Sequence, residues 1–272
     1  MSARRKREWF DNDSFWRDLY PFMFPEKRFA DAALEVDKAI TLAAPKGKSV
    51  LDLCCGPGRC SVALAKRGFA VTGVDKTAYL LEKAKARARA AKVKIEWVKA
   101  DMRDFVRPES FDFVLSMFTS FGYFDNKQED VTVLKNILAS LRPSGKCLID
   151  VIGKERLAKI YQPTNADVET DGTILVQRRE AFDDWTRMRN EWILIRKGRA
   201  KSFRFHHTIY SGQELKDQMA GAGFVDVRLH GNLDGDEYGP NAQRLIAIGR
   251  KPEIHKKTRR TKASSRRLKG RG

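Results

Sequence analysis

Between residues 49 and 152, short apolar runs alternate with amphipathic stretches, and each run ends on a polar or glycine-rich breaker. Ser49–Cys54 stops at Gly56-Pro57-Gly58, Ser61–Arg67 reads as a helix closed by Gly68, and Phe69–Val74 stops at Asp75. Residues 78–91, rich in Ala, Leu, Lys and Arg, read as a helix, and Val93–Val98 leads to Asp101. Phe111–Ser116 is apolar enough for the middle of a sheet. Asn126–Leu141 places Val131, Leu134, Ile137, Leu138 and Leu141 on one side before Pro143 and Gly145 stop it, and Lys146–Ile152 is a fifth strand. Strands separated by helices require crossovers, and right-handed crossovers lay the strands parallel. The expected class is α/β, a doubly wound sheet with helices on both faces.

After residue 152 the pattern changes. Ile174–Phe182, Met188–Arg196 and Lys201–Tyr210 read as three strands joined by short polar turns, an antiparallel β insertion. Ser211 and Glu214 form an S-x-x-E capping box for a helix that ends near Gly221–Gly223. Val225–His230 and Leu245–Arg250 are the last two strands, separated by a Gly- and Asp-rich loop at 231–243. Ahead of the sheet lie Trp9, Phe10, Phe15, Trp16, Tyr20, Phe22 and Phe24, then Pro25 and a helix through Leu34, Val36, Ile40 and Leu42 that Pro45–Gly47 ends. Trp16, Tyr20 and Phe24 suit either a lid over a ligand or an aromatic helix packed on the domain. The chain thus divides into a basic end and aromatic lid segment (1–25), an α/β core (26–152), a substrate cap (153–210), a completion of the core sheet (211–251) and a basic tail (252–272) expected to be disordered.

The formal charge of +18 belongs mostly to the ends. Residues 251–272 carry a net +9 and residues 1–8 a net +3, which leaves +6 for residues 9–250. A tail of that kind reads as a solvated arm whose contact with nucleic acid or another polyanion would be weak and by charge alone. No run approaches the roughly 18 apolar residues of a membrane span. The basic N-terminus lacks the apolar stretch of a secretory signal. Four cysteines, three crowded at Cys54, Cys55 and Cys60, do not suit a disulfide framework, and without C-x-x-C spacing they do not suit a metal site. They read as small residues packing behind a loop in a reducing compartment, with the cytoplasm as the expected location.

The strand–glycine loop–helix at Val50–Gly58 is a nucleotide-binding geometry, since glycine lets the backbone approach a ligand. It departs from the dinucleotide fingerprint, because Ser61 stands where G-x-G-x-x-G needs its third glycine. That argues against a nicotinamide-dependent oxidoreductase. Asp52, Asp75 and Asp101 lie at the ends of the first three strands, the edge where doubly wound sheets bind ligands. Converging carboxylates repel a pyrophosphate and attract a ligand with an ammonium, a sulfonium and a ribose. S-adenosylmethionine has these groups and no phosphate. Asp75 is placed to accept hydrogen bonds from the ribose hydroxyls.

The series VLDLCCGPG, VTGVDKT, VKADMRDF and FDFVLSMFTSFGYF resembles, in order, the motifs of class I S-adenosylmethionine-dependent methyltransferases over about residues 26–152. The words FTSFGYF, RLIAIGRK and DGDEYGP and the strand insertion resemble a small-molecule branch of that family. The resemblance implies a seven-stranded, mostly parallel sheet in the order 3-2-1-4-5-7-6, with strand seven antiparallel. It also implies that Asp52, Gly56 and Gly58 surround the methionine part of the cofactor, and that Asp75 holds the ribose. Asp101 and Met102 would edge the adenine, and Ser116, Met117 and Phe118 would floor the site near the methyl. Cys54 and Lys76 adjoin these positions and are counted with them. The expected reaction is in-line transfer of a methyl group to O or N of a small molecule. Candidate bases are His206, His207, Tyr210 and Tyr123. A solvated or structural histidine remains the alternative at 206 and 207, where successive strand residues face opposite ways. The rival reading is an RNA or ribosomal-protein methyltransferase anchored by the basic tails. Against it, Ser116–Thr119 lacks the D/N-P-P-aromatic signature and no Pro-Cys pair offers a cysteine nucleophile. A cofactor-binding protein without catalysis is a further class.

Overall fold

The structure, a computed structural model, describes residues 7–253. The basic cluster at residues 4–6 and nearly all of the tail therefore lie outside the described residues. A 3-10 turn at Trp9–Asp11 and helices α1 (Asp13–Met23) and α2 (Glu26–Ala43) precede the sheet. The core then runs β1 (Ser49–Leu53), α3 (Arg59–Lys66), β2 (Ala70–Asp75), α4 (Ala78–Ala90), β3 (Glu96–Lys99), β4 (Phe111–Ser116), α5 (Lys127–Ser140) and β5 (Leu141–Val151). After α6 (Lys154–Ile160) come four strands, β6 (Thr164–Val168), β7 (Ile174–Phe182), β8 (Arg187–Arg196) and β9 (Arg199–Thr208). Helix α7 (Gly212–Ala222), β10 (Val225–His230) and β11 (Leu245–Arg250) complete the described chain. Among the described residues no helix is long and apolar enough to cross a membrane.

The large sheet has the order β3-β2-β1-β4-β5-β11-β10. β1 pairs in parallel with β2 and β4, and β11 runs antiparallel to β5. This is the doubly wound, seven-stranded arrangement that the motif series implies. Strands buried on both faces read as continuous apolar runs, and two cores explain why these do. One, with Leu51, Leu53, Val114, Ile149 and Ala247, packs under α5 and α7. The other, with Val50, Phe113, Leu115, Leu148 and Ile246, packs under α2 and α3. Successive residues of β1 and β4 thus alternate between the two.

Four local differences from the sequence reading have physical causes. Strand β3 is only Glu96–Lys99, because Val93 is spent closing α4, its amide donating to the Ala88 carbonyl. β5 begins already at Leu141 and continues past Pro143 and Gly145 through a register shift opposite β4, with Ser144 in the left-handed region. α3 begins at Arg59, because Gly58 at φ 79° takes the cap position. α6 and β6 are short, and β6, mostly exposed at the edge of its sheet, carries no inward apolar face for a periodicity to reveal.

The second sheet is antiparallel, in the order β6-β7-β8-β9. One face presents Leu175, Leu194, Phe203 and Phe205 to Phe15 and Leu19 of α1, forming a third core. Trp192 pairs with Gln177 across β7–β8 and with Phe203 across β8–β9. Helix α1 is capped by the Asn12 side chain, which accepts from the Ser14 amide. It lies between the second sheet and the carboxyl ends of the main sheet strands, and this placement builds the site.

Candidate active site

The backbone turns sharply where β1 ends. Cys54, Gly56 and Gly58 all have positive φ, at 59°, 54° and 79°. The two glycines serve different needs. A Cβ on Gly58 would lie 2.9 Å from both Ala84 Cβ and Trp97 Cη2, so that residue seats the loop against α4 and β3. At Gly56 the nearest atoms are those of the Phe24 ring, 3.8 Å away, so its open side faces a cavity. That cavity, about 370 Å³, lies within the size range of small-molecule sites.

Asp52, Cys54, Gly56, Asp75, Lys76, Asp101, Met102, Met117 and Phe118 all line this cavity. Gly58 and Ser116 do not; Ser116 is wholly buried behind the wall. Asp75 accepts the Gly56 amide on Oδ2 and the Thr77 amide on Oδ1, each at 2.8 Å. The carboxylate is thereby fixed in orientation with lone pairs left over, while burial raises its pKa. Asp52 accepts the Ser61 hydroxyl, and burial raises its pKa to about 6. A group that offers hydroxyls or an ammonium to these two oxygens offsets their desolvation. This is the fit expected for the ribose and amino groups of S-adenosylmethionine.

Asp101 differs from the other two. Arg103, itself buried, grips it through Nε at 3.0 Å and Nη2 at 2.7 Å, and Lys76 Nζ stands 3.2 Å away. Burial pulls its pKa up, but these cations outweigh it and hold the carboxyl down to about 2. Its charge is therefore already met by protein. The same cations reach the N-terminal segment, Lys76 to Asp11 at 2.8 Å and Arg103 to both carboxylate oxygens of Glu8. Arg28 and Arg59 also line the cavity. Arg59 is buried with its guanidinium 3.1 Å from the centre of the Phe118 ring, and burial lowers its pKa. The cavity is thus mixed in charge rather than uniformly acidic.

The far end of β4 is strained. Phe118 and Thr119 are both left-handed, at φ 61° and 62°, an arrangement that persists only where its surroundings over-determine it. Asp150 supplies that constraint. Its Oδ2 accepts the Phe118 amide at 2.9 Å, its carbonyl accepts the Thr119 amide at 2.8 Å, and Arg244 Nε donates to Oδ1 at 2.6 Å. The sequence reading missed Asp150, Arg103 and Arg59; only Arg59, directly behind the glycine loop, had a local signal.

The rest of the wall is aromatic and comes from three separate stretches. The N-terminal segment gives Trp9, Phe10, Trp16, Phe22, Met23 and Phe24; the loop after β4 gives Tyr123; β7 and β8 give Leu175, Gln177 and Trp192. Tyr20 is not part of it, packing instead on Phe24 and Tyr79. The indole N–H groups of Trp9 and Trp192 are buried with no hydrogen-bond partner among the described residues. Leaving such donors unmet costs about 1–3 kcal/mol each, and both nitrogens are closed off from the open space of the cavity.

Of the four residues chosen as candidate bases, only Tyr123 lines this cavity. Its phenol is pushed up to about 12 by burial, so at neutral pH it keeps its proton. His207 is turned to the inner face of its sheet, 3.2 Å from the Asn190 amide nitrogen, and burial pulls it down to about 4. His206 points the other way, pairing with Asp125 at 2.6 Å beside a second, more polar cavity of about 340 Å³. Tyr210 donates to Asp130 at 2.6 Å inside the main core. These three are corrections: period-two alternation and core packing carry them away from the site. Among the described residues no group of three His, Cys, Asp or Glu side chains is placed to hold a metal.

Comparison with known proteins places the same segment. Residues 50–145 match the family model described as a methyltransferase domain. YqeM of Bacillus subtilis (strain 168), a protein with a methyltransferase name, is 26% identical over 215 residues, which cover 77% of this chain and 86% of that protein. The ubiquinone biosynthesis O-methyltransferase of Coxiella burnetii is 32% identical over 133 residues, 48% of this chain and 54% of the relative. Among solved structures, CalS10 of Micromonospora echinaspora, an amino pentose methyltransferase determined with S-adenosylmethionine bound, superposes with a TM-score of 0.65. It shares 21% identity and the match covers 92% of this chain and all of that one, a likeness of fold.

Proposed function

Since the chain belongs to the class I S-adenosylmethionine-dependent methyltransferases, we propose that it methylates O or N of a small-molecule acceptor held in the cavity that α1, the second sheet and the strand ends enclose. The observation that carries this reading is the enclosure of the site. One cavity runs from the strand ends, with Asp52 and Asp75, to an aromatic wall built by the lid segment and by β7 and β8. A lined pocket of this size suits a small acceptor, whereas a macromolecular one needs an open charged face. The chain resembles an O-methyltransferase of ubiquinone synthesis and, in fold, an amino pentose methyltransferase, which supports a small acceptor.

When bound, the cofactor supplies a methyl group on a sulfonium, already activated for attack. Asp75 would orient the adenosyl part through the lone pairs left on its two oxygens, and Asp52 would face the amino end. Phe118, fixed by Asp150, and Met117 before it would set the floor beneath the reacting atoms. Trp9, Trp16 and Trp192 exclude water and align the acceptor, so proximity and orientation supply much of the acceleration.

Replacing Asp75 tests the site. Asp75→Ala removes the ribose acceptor and releases two amides, and should weaken S-adenosylhomocysteine binding about 10- to 100-fold by calorimetry, the range of a lost charged hydrogen bond. Affinity within twofold of wild type would refute the assignment.

A further inference from the structure

Methyl transfer to a hydroxyl calls for a base within hydrogen-bond reach, and the aromatic end of the cavity, away from the strand-end carboxylates assigned to the cofactor, does not provide one. Among the described residues no histidine lines it. The carboxylates at the strand ends are engaged, Asp52 by Ser61, Asp75 by two amides, and Asp101 by Arg103 and Lys76. In the aromatic part of the wall the one ionisable group is Tyr123, whose proton is held by burial.

That part of the wall has a different chemistry to offer. The Trp9 ring lies 5.8 Å from Trp16 and 5.2 Å from Tyr123, and Trp192 stands opposite Gln177 across β7–β8. Ring faces attract positive charge, and surroundings poor in water favour the neutral form of an amine. Resting on the methyltransferase reading above, we infer that the acceptor atom is an amine nitrogen that arrives neutral, on a small scaffold that Gln177 holds by hydrogen bonds.

The step balances without a base. The nitrogen lone pair forms the new N–C bond as the S–C bond breaks and its electron pair stays on sulfur. The positive charge moves from sulfur to nitrogen, into the aromatic faces, where the growing ammonium is stabilised more than the neutral amine was. The extra proton leaves to water once the product departs.

Two isosteric probes test this on the full-length protein loaded with S-adenosylhomocysteine. Choline carries a permanent methylated ammonium that stands in for the positive charge transfer would place on nitrogen, and 3,3-dimethylbutan-1-ol replaces its nitrogen by carbon. Calorimetry should find choline bound about tenfold tighter, with the preference shrinking toward unity in Trp192→Leu. Equal affinities, tighter binding of the alcohol, or binding of neither would overturn the inference. Failure of S-adenosylhomocysteine itself to bind, seen in the preceding titration, would instead count against the cofactor site.

Discussion

Asp130 is completely buried on α5, and the Tyr210 hydroxyl donates to its Oδ2 at 2.6 Å. Burial is the largest influence and raises its pKa from 3.8 to about 6, so the folded state holds this proton more tightly than the unfolded chain does. The stability it contributes is complete below about pH 4 and is lost as pH rises through 6. Asp130→Asn keeps an oxygen for Tyr210 and has no charge to desolvate. The variant should be about 2 kcal/mol more stable than wild type at pH 8 in urea unfolding, with the gain gone at pH 4. A stability difference that does not change with pH would show that Asp130 is not the group responsible. Asp52, shifted in the same direction, gives both proteins the same background slope and cancels in the difference. Residues of this kind were hard to place from sequence. Tyr210 looked available for catalysis, yet its partner lies 80 positions earlier in the chain, and only packing joins them.

At the scale of elements, the N-terminal segment is held to the strand ends by charge. Arg103 bridges Asp101, Glu8 and Glu129, with its side chain 2% exposed. Arg103→Ala leaves three carboxylates facing one another and should cost about 3 kcal/mol, the low end for breaking a buried pair, because Glu8 and Glu129 keep some water. Arg103→Lys restores charge but not the two-pronged grip on Asp101, and should recover only part of the loss. Equilibrium unfolding of the three proteins measures this, and an alanine variant as stable as wild type would show that the pairs are ornamental. The core elements were legible because each strand and helix announces itself locally, by an apolar run or a helical period closed by glycine or an acid. The cavity wall at the strand ends was legible for the same reason, since Asp52, Asp75 and Asp101 each lie in or just after the end of a strand. The aromatic wall was not. Trp9, Tyr123, Gln177 and Trp192 come from stretches whose meeting depends on how the second sheet docks, which no local pattern records.

For the molecule as a whole, the three hydrophobic cores are unequal in how they depend on one another. Two flank the main sheet, while the third contains Phe15 and Leu19 of α1 together with Leu175, Leu194, Phe203 and Phe205 of the second sheet. Helix α1 therefore shares its core with the second sheet. Its links to the main domain are Tyr20 and Arg17 packed on Tyr79 of α4 and the shared cavity wall, and the turn before it adds Phe10 on the first core and the Glu8 and Asp11 ion pairs. Elements joined through one core open together, and a ligand that bridges two bodies suppresses the opening of both. Adding S-adenosylhomocysteine at about 100 times its Kd should raise the unfolding free energy by about 2.7 kcal/mol. Hydrogen exchange should then slow along residues 9–24 and at the strand ends around 52–58 and 75–77, while β10, at the opposite edge of the sheet, changes little. Protection of the strand ends alone, with residues 9–24 exchanging as before, would mean that the lid closes on the acceptor and not on the cofactor. The wall built by Trp9 and Trp16 would then belong to the second ligand only.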